Sequence, residues 1–275
     1  MNESVVVYRG FRYLKVATLL CLLAIVLYAF HTPIGQPNGG SWLGYGLGGI
    51  GAAIILWLMW FGVRKRRYKP GKVKLEEWLS AHVYLGLALI IIATLHSGFQ
   101  FGWNVHTLAY VLMMVVILSG AFGLYAYVRY PRLMTENRRG QTLDGIFTQI
   151  ADLDRECRDV AMRLGDEVND AVLAAAQRTR VGGGLVRQLS GRNPNCPTLA
   201  ALKLMQKLAA GPRHDDAGVR KLVQLLAKKD DLLGQARRDV QLLAMMQVWL
   251  FIHVPFTFAL IAALVAHVFS VFFYW

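Results

Sequence analysis

Residues 79–98 read LSAHVYLGLALIIIATLHSG, twenty positions without a charged side chain and with a histidine near each end, His82 and His96. A helix needs about 20 apolar residues to cross roughly 30 Å of hydrocarbon, so the stretch predicts a membrane span. His82 and His96 are 14 residues apart. At about 100° per residue, fourteen steps return a side chain to within about 40° of its starting face, and slight supercoiling, which makes fourteen residues two heptads, closes the return. The rise over that interval is about 21 Å. One helix thus carries an imidazole near each side of a bilayer, both on one face.

The pattern recurs at the other end of the chain. Residues 246–275, MQVWLFIHVPFTFALIAALVAHVFSVFFYW, contain His253 and His267, again 14 residues apart. Three further apolar stretches, 16–30, 42–63 and 106–128, bring the expected spans to five. Arg9, Arg12 and Lys15 precede the first, but YAFHTP at 28–33 offers no small-x-small cleavage site, so a retained anchor is expected rather than a cleaved leader. The composition agrees: 55% of residues are hydrophobic and 17% charged, against about a quarter charged in soluble domains.

Charge orients the spans. Every Lys, Arg, Asp and Glu lies in 1–15, 64–77 or 129–239, while the loops 31–41 and 97–104 carry none. By the positive-inside rule the three charged segments are cytoplasmic. Five spans then leave the N-terminus and the insertion inside and the C-terminus outside, periplasmic if the membrane is a bacterial inner membrane. The net charge of +13 is thereby assigned to a membrane surface, and nucleic acid is not an expected partner.

The expected organisation is four spans in 1–128, a soluble insertion in 129–245 and the fifth span in 246–275. In the insertion, Leu143, Ile146, Ile150, Leu153, Cys157, Val160 and Leu164 recur at steps of three and four, the mark of a helix with one apolar face. Gly182-Gly183-Gly184 and Asn193-Pro194 interrupt it. A short helix over 199–210 ends at Gly211-Pro212. Asp215 and Asp216 would cap a last helix that presents Leu222, Leu226, Leu233 and Val240 and runs on into the fifth span. The fold class expected is therefore an all-α membrane protein with a cytoplasmic helical hairpin between spans four and five.

Spans three and five run in the same direction, so His82 and His253 share one depth and His96 and His267 the other. A lone membrane histidine is ordinarily an interhelical hydrogen-bond partner, but two pairs of equal spacing and matched depth call for a ligand set. Imidazole is a normal axial ligand of haem iron, and facing helices are where bundles build cofactor sites. The expectation is two b-type haems, one held by His82 and His253 and one by His96 and His267. Gly86, Gly98, Gly120 and Gly123 would let a flat macrocycle approach the helices. The three cysteines form no C-x-x-C-H and are too few for a four-cysteine iron–sulfur site.

Paired histidines 14 apart on two membrane helices resemble the di-haem cytochrome b of quinol–cytochrome c reductases. They also resemble the transmembrane core of ferric reductases and NADPH oxidases, which likewise uses its third and fifth helices. The resemblance implies two stacked haems on those four histidines. It covers the ligand helices and their order. No counterpart of the oxidases' C-terminal flavin and nicotinamide domain is expected, nor one of the quinone-site loop of the reductase cytochromes.

Other features have simpler readings. Gly46-Leu-Gly48-Gly49-Ile-Gly51 matches a dinucleotide fingerprint, but it lies inside an apolar span with no strand before it, so Gly44 and Gly48 are expected to serve close packing. The basic run Arg64-Lys65-Arg66-Arg67 with Lys69, Lys72 and Lys74 fits a topology determinant that holds anionic lipid; contact with propionates of the inner haem or with an acidic redox partner is its sharper alternative. The outer side has no Lys or Arg, so propionates or a quinol there would turn to His31, Trp103, Asn104, His106 or Tyr274. His214 has no assigned role.

The function expected is transmembrane electron transfer, as a subunit or partner of a quinone-linked redox system or within a homo-oligomer. The partners would be membrane lipid, quinone and a redox protein. A stand-alone oxidoreductase acting on quinone, metal ion or superoxide is the alternative within that chemistry. A structural or signalling protein acting through its helical hairpin is the alternative outside it.

Overall fold

The computed structural model describes residues 7–33, 37–66, 75–211 and 217–273, for 63–66 and 75 the backbone alone. The expected caps Asp215 and Asp216, together with His214, Tyr274 and the basic side chains of 64–74, lie outside what is described. The described chain is helical, with no strand: α1 (Tyr8–Phe30), α2 (Trp42–Arg66), α3 (Leu75–Ser97), α4 (Val105–Arg138), α5 (Leu143–Ala161), α6 (Asp166–Arg178), α7 (Leu185–Ser190), α8 (Pro197–Ala209) and α9 (Ala217–Phe273). Five of these, α1 to α4 and α9, are long and apolar enough to cross a membrane. The chain forms two compact units, Met1–Leu124 with Trp249–Trp275, and Tyr125–Val248.

In the first unit α3 is the central helix. One of its faces sets Tyr84, Ala88, Ile92 and Leu95 against Ala17, Cys21 and Ala24 of α1 and Leu43 and Leu47 of α2. Another sets Leu89 against Met113 of α4 and Leu260 of α9. Small residues recur at these contacts because apolar burial gives little drive inside lipid, and close backbone approach supplies van der Waals contact instead. Large apolar side chains such as Leu19, Phe30, Phe251 and Phe272 face outward, as solvation by hydrocarbon requires. At one end, Tyr13 Oη donates to Glu77 Oε1 at 2.8 Å and Tyr8 Oη to Glu77 Oε2 at 3.1 Å, tying α1 to α3.

The second unit has its own core. The apolar stripe expected from the sequence is buried: on α5 Ile146, Leu153 and Cys157 are enclosed with Leu143, Ile150 and Val160 packed beside them, and Leu164 packs just beyond the helix end at Ala161. They meet Val168, Val172 and Ala175 of α6, Leu202 and Met205 of α8, and Leu222 and Leu226 of α9. Thr142 caps α5, its hydroxyl accepting from the Gly145 amide at 3.0 Å. The insertion thus builds a multi-helix core, more elaborate than two antiparallel arms. Two buried charges hold it together. Lys229, 1% exposed, donates to Asp154 Oδ1 at 2.5 Å and to the Ala175 carbonyl at 2.8 Å. Asp239 accepts from Asn137 Nδ2 at 2.9 Å and pairs with Arg138. Buried Cys196 precedes α8. Burial raises its thiol, but the Leu199 amide and the Arg237 guanidinium outweigh that and hold it below its ordinary range.

Candidate functional site

The four singled-out histidines all lie in the first unit, in two clusters. The first gathers His96 of α3, His267 of α9 and His106 of α4. The His96 and His267 rings stand 5.8 Å apart, centroid to centroid, and those of His106 and His267 4.6 Å apart. These three histidines line a cavity of about 980 Å³ between α2, α3, α4 and α9, at the upper end of the roughly 300–1,000 Å³ typical of ligand sites. Its polar lining is neutral, with Gln100, Asn104, Tyr45 and Tyr110 among the residues that face it and no Lys, Arg, Asp or Glu.

Each ring is held by its Nδ1. His96 Nδ1 lies 2.7 Å from the Gly44 carbonyl, which can only accept. Nδ1 therefore carries the proton, and the Nε2 lone pair is left for a ligand. Gly48 makes room for this ring: a Cβ there would stand 2.7 Å from His96 Cε1. One glycine of the dinucleotide-like motif, Gly48, thus seats an imidazole. His267 Nδ1 is in contact with His106 Nδ1, so one of the two donates and the Nε2 of His267 stays out of that bond.

The second pair is His82 of α3 and His253 of α9. His253 Nδ1 is 2.8 Å from Ser119 Oγ, which itself donates to the Val116 carbonyl at 2.8 Å. A hydroxyl has one proton, so His253 Nδ1 must be the donor, and its Nε2 also keeps a free lone pair. The His82 ring packs on Phe61 at 5.1 Å. Its Nδ1 is buried without a hydrogen-bond partner. Trp249 lies 5.5 Å from the His253 ring and donates through Nε1 to the Ser119 carbonyl at 2.7 Å.

Several expected contacts fall elsewhere. Of the four glycines expected to admit a macrocycle, Gly123 takes the Trp249 indole, to which a Cβ would come within 2.1 Å, and Gly98 turns the chain after α3 at φ +60° against the Pro37 carbonyl. Gly120 faces His253, and Gly86 lies in ordinary contact distance of Leu58. Asn104 lines the cavity and also caps α4, accepting from the Thr107 amide at 2.9 Å. Trp103 is fully exposed. His31 packs edge-on to Trp42, 5.1 Å away, apart from the other histidines. The part of His106 as a neighbour of His267, the Gly44 carbonyl and Ser119 had no signal in the sequence. Among the described residues no group of three or more His, Cys, Asp or Glu is placed to hold a bare metal ion.

The fit to a haem can be judged on these observations. Two imidazoles on one iron, with metal–nitrogen bonds of roughly 2.0–2.1 Å, have ring centroids about 6 Å apart, and His96 and His267 stand at 5.8 Å. A ligating histidine ordinarily gives its other ring nitrogen to a carbonyl, carboxylate or water, as His96 does. The His96 and His267 pair therefore fits the group. Comparison with known protein families, curated proteins and solved structures gives no match.

Proposed function

We propose that the chain is a di-haem b-type cytochrome that carries electrons across the membrane. The supporting observation is the cavity lined by His96 and His267, whose rings stand 5.8 Å apart and are oriented by Nδ1 partners. Haem would supply the remaining ligands of its own iron, so two imidazoles from the protein would suffice where a bare ion would call for more. His96 and His267 would hold one group and His82 and His253 the other. When bound, haem supplies one-electron redox chemistry, while the protein sets position and dielectric.

The chain's own residues do the rest. Gly44 and Ser119 orient His96 and His253, and His106 braces His267. Apolar side chains of α2, α3, α4 and α9 make up most of the cavity's lining. Neutral amides and hydroxyls, Gln100 and Asn104 among them, offer hydrogen bonds where no cation is at hand. In this proposal the charged segments are cytoplasmic and the cavity with His96 opens toward the outer side of a bacterial inner membrane. Quinone in the bilayer and a redox protein are the proposed exchange partners, and the chain acts as an electron-transfer subunit.

A dithionite-reduced minus oxidised spectrum of the purified protein, with haem counted per chain, tests this. Two b-type haems are expected, with one lost in His96→Ala and one in His82→Ala. A chain without haem after expression with ample supply would overturn the proposal.

A further inference from the structure

The second unit carries a recess unrelated to the histidines. Arg180, Arg187, Arg192 and Arg237 line a shallow recess open to solvent, with Gln188 and Asn193 beside them and no carboxylate in its lining. Among the described residues none of the four arginines forms an ion pair. Gly182 and Gly183, at φ +99° and +119°, make the turn that brings Arg180 and Arg187 to one place, a turn that side-chain-bearing residues resist. Arg237 is fixed from behind: its Nη2 donates to the buried Cys196 Sγ at 3.0 Å, and its buried Nε has no partner. Converged guanidinium forks without a counter-charge suit the oxygens of a phosphate.

Two further observations identify its source. Leu185 and Val186 of α7, on the same short segment, are exposed, Val186 at 83%. A soluble phosphate would leave these apolar side chains unexplained, whereas a membrane interface accepts them beside basic residues. The segment is also tied to α9 near the membrane by sequence: Gln241 Nε2 donates to the Leu189 carbonyl at 2.7 Å, and Gln241 comes five residues before the apolar run 246–275 begins.

We propose that this recess binds the phosphate of an anionic phospholipid headgroup, with Leu185 and Val186 entering the interface beside it. Haem plays no part in it. Hydrogen exchange of the full-length protein in nanodiscs tests it, read over residues 180–192 in discs of phosphatidylcholine alone, in discs that also contain phosphatidylglycerol, and in phosphatidylcholine discs with inorganic phosphate added. Exchange is expected to slow by roughly fivefold or more only in the anionic discs, given the strength with which each basic residue is drawn to such a surface. The protection should vanish in an Arg187→Gln/Arg192→Gln variant and weaken in Leu185→Ser/Val186→Ser. Equal exchange in all three settings would overturn the proposal. So would equal protection by inorganic phosphate, which would make the recess a soluble-anion site.

Discussion

Gly48 and Gly44 show how much one backbone position decides here. At Gly48 the missing Cβ is the space that the His96 ring occupies, and at Gly44 the carbonyl sets which nitrogen of that ring carries the proton. Gly48→Val should therefore displace His96 and halve the haem content, the remaining haem being the one at His82 and His253; pyridine haemochrome counting per chain checks this. His106 acts on His267 through one contact. His106→Ala should weaken retention of that haem by about 10–100-fold, the usual effect of removing a partner that orients a metal ligand, and His106→Asn should recover part of it; haem titration of the stripped protein measures both. Ser119→Ala is expected to act likewise on the other haem. None of these three partners was legible in the sequence, for a physical reason. They lie 52, 161 and 134 residues from the histidines they serve, and helical periodicity reports only which residues of one helix share a face.

At the scale of elements, periodicity succeeded where a face is buried. All seven positions of the stripe from Leu143 to Leu164 pack into the core, and Leu222, Leu226 and Leu233 are buried on α9. Two residues on α9 broke the rule. Lys229 and Asp239 are enclosed although charged, because Asp154 and Arg138 reach them from helices more than seventy positions away. Asp154→Ala should then destabilise the second unit by about 3–5 kcal/mol, since it strands a buried ammonium, whereas Asp154→Leu with Lys229→Met should come close to neutral. Thermal unfolding of the full-length protein followed by circular dichroism distinguishes the two. The glycines offer the converse lesson. Gly98 and Gly123 looked like room for a cofactor, but a turn and an indole fill those places, and a glycine in a sequence does not name its neighbour.

For the whole molecule, the orientation proposed from charge can be tested directly. The three native cysteines are buried, so introduced thiols can be read against a low background. Trp103→Cys should react with a membrane-impermeant maleimide on intact cells, and Met162→Cys, at a position 75% exposed, only after permeabilisation. The reverse pattern would invert the topology. The sequence by itself determined that five helices are apolar enough to span a bilayer and that two of them repeat a histidine on one face. Both properties are local, set by the hydropathy of a run and by 3.6 residues per turn. Only the tertiary structure decided that His96 and His267 share a cavity, which tautomer His96 and His253 adopt, and that His106 stands beside His267. Those depend on which helices pack together, and that is decided by side chains far apart in the chain meeting across close helix contacts.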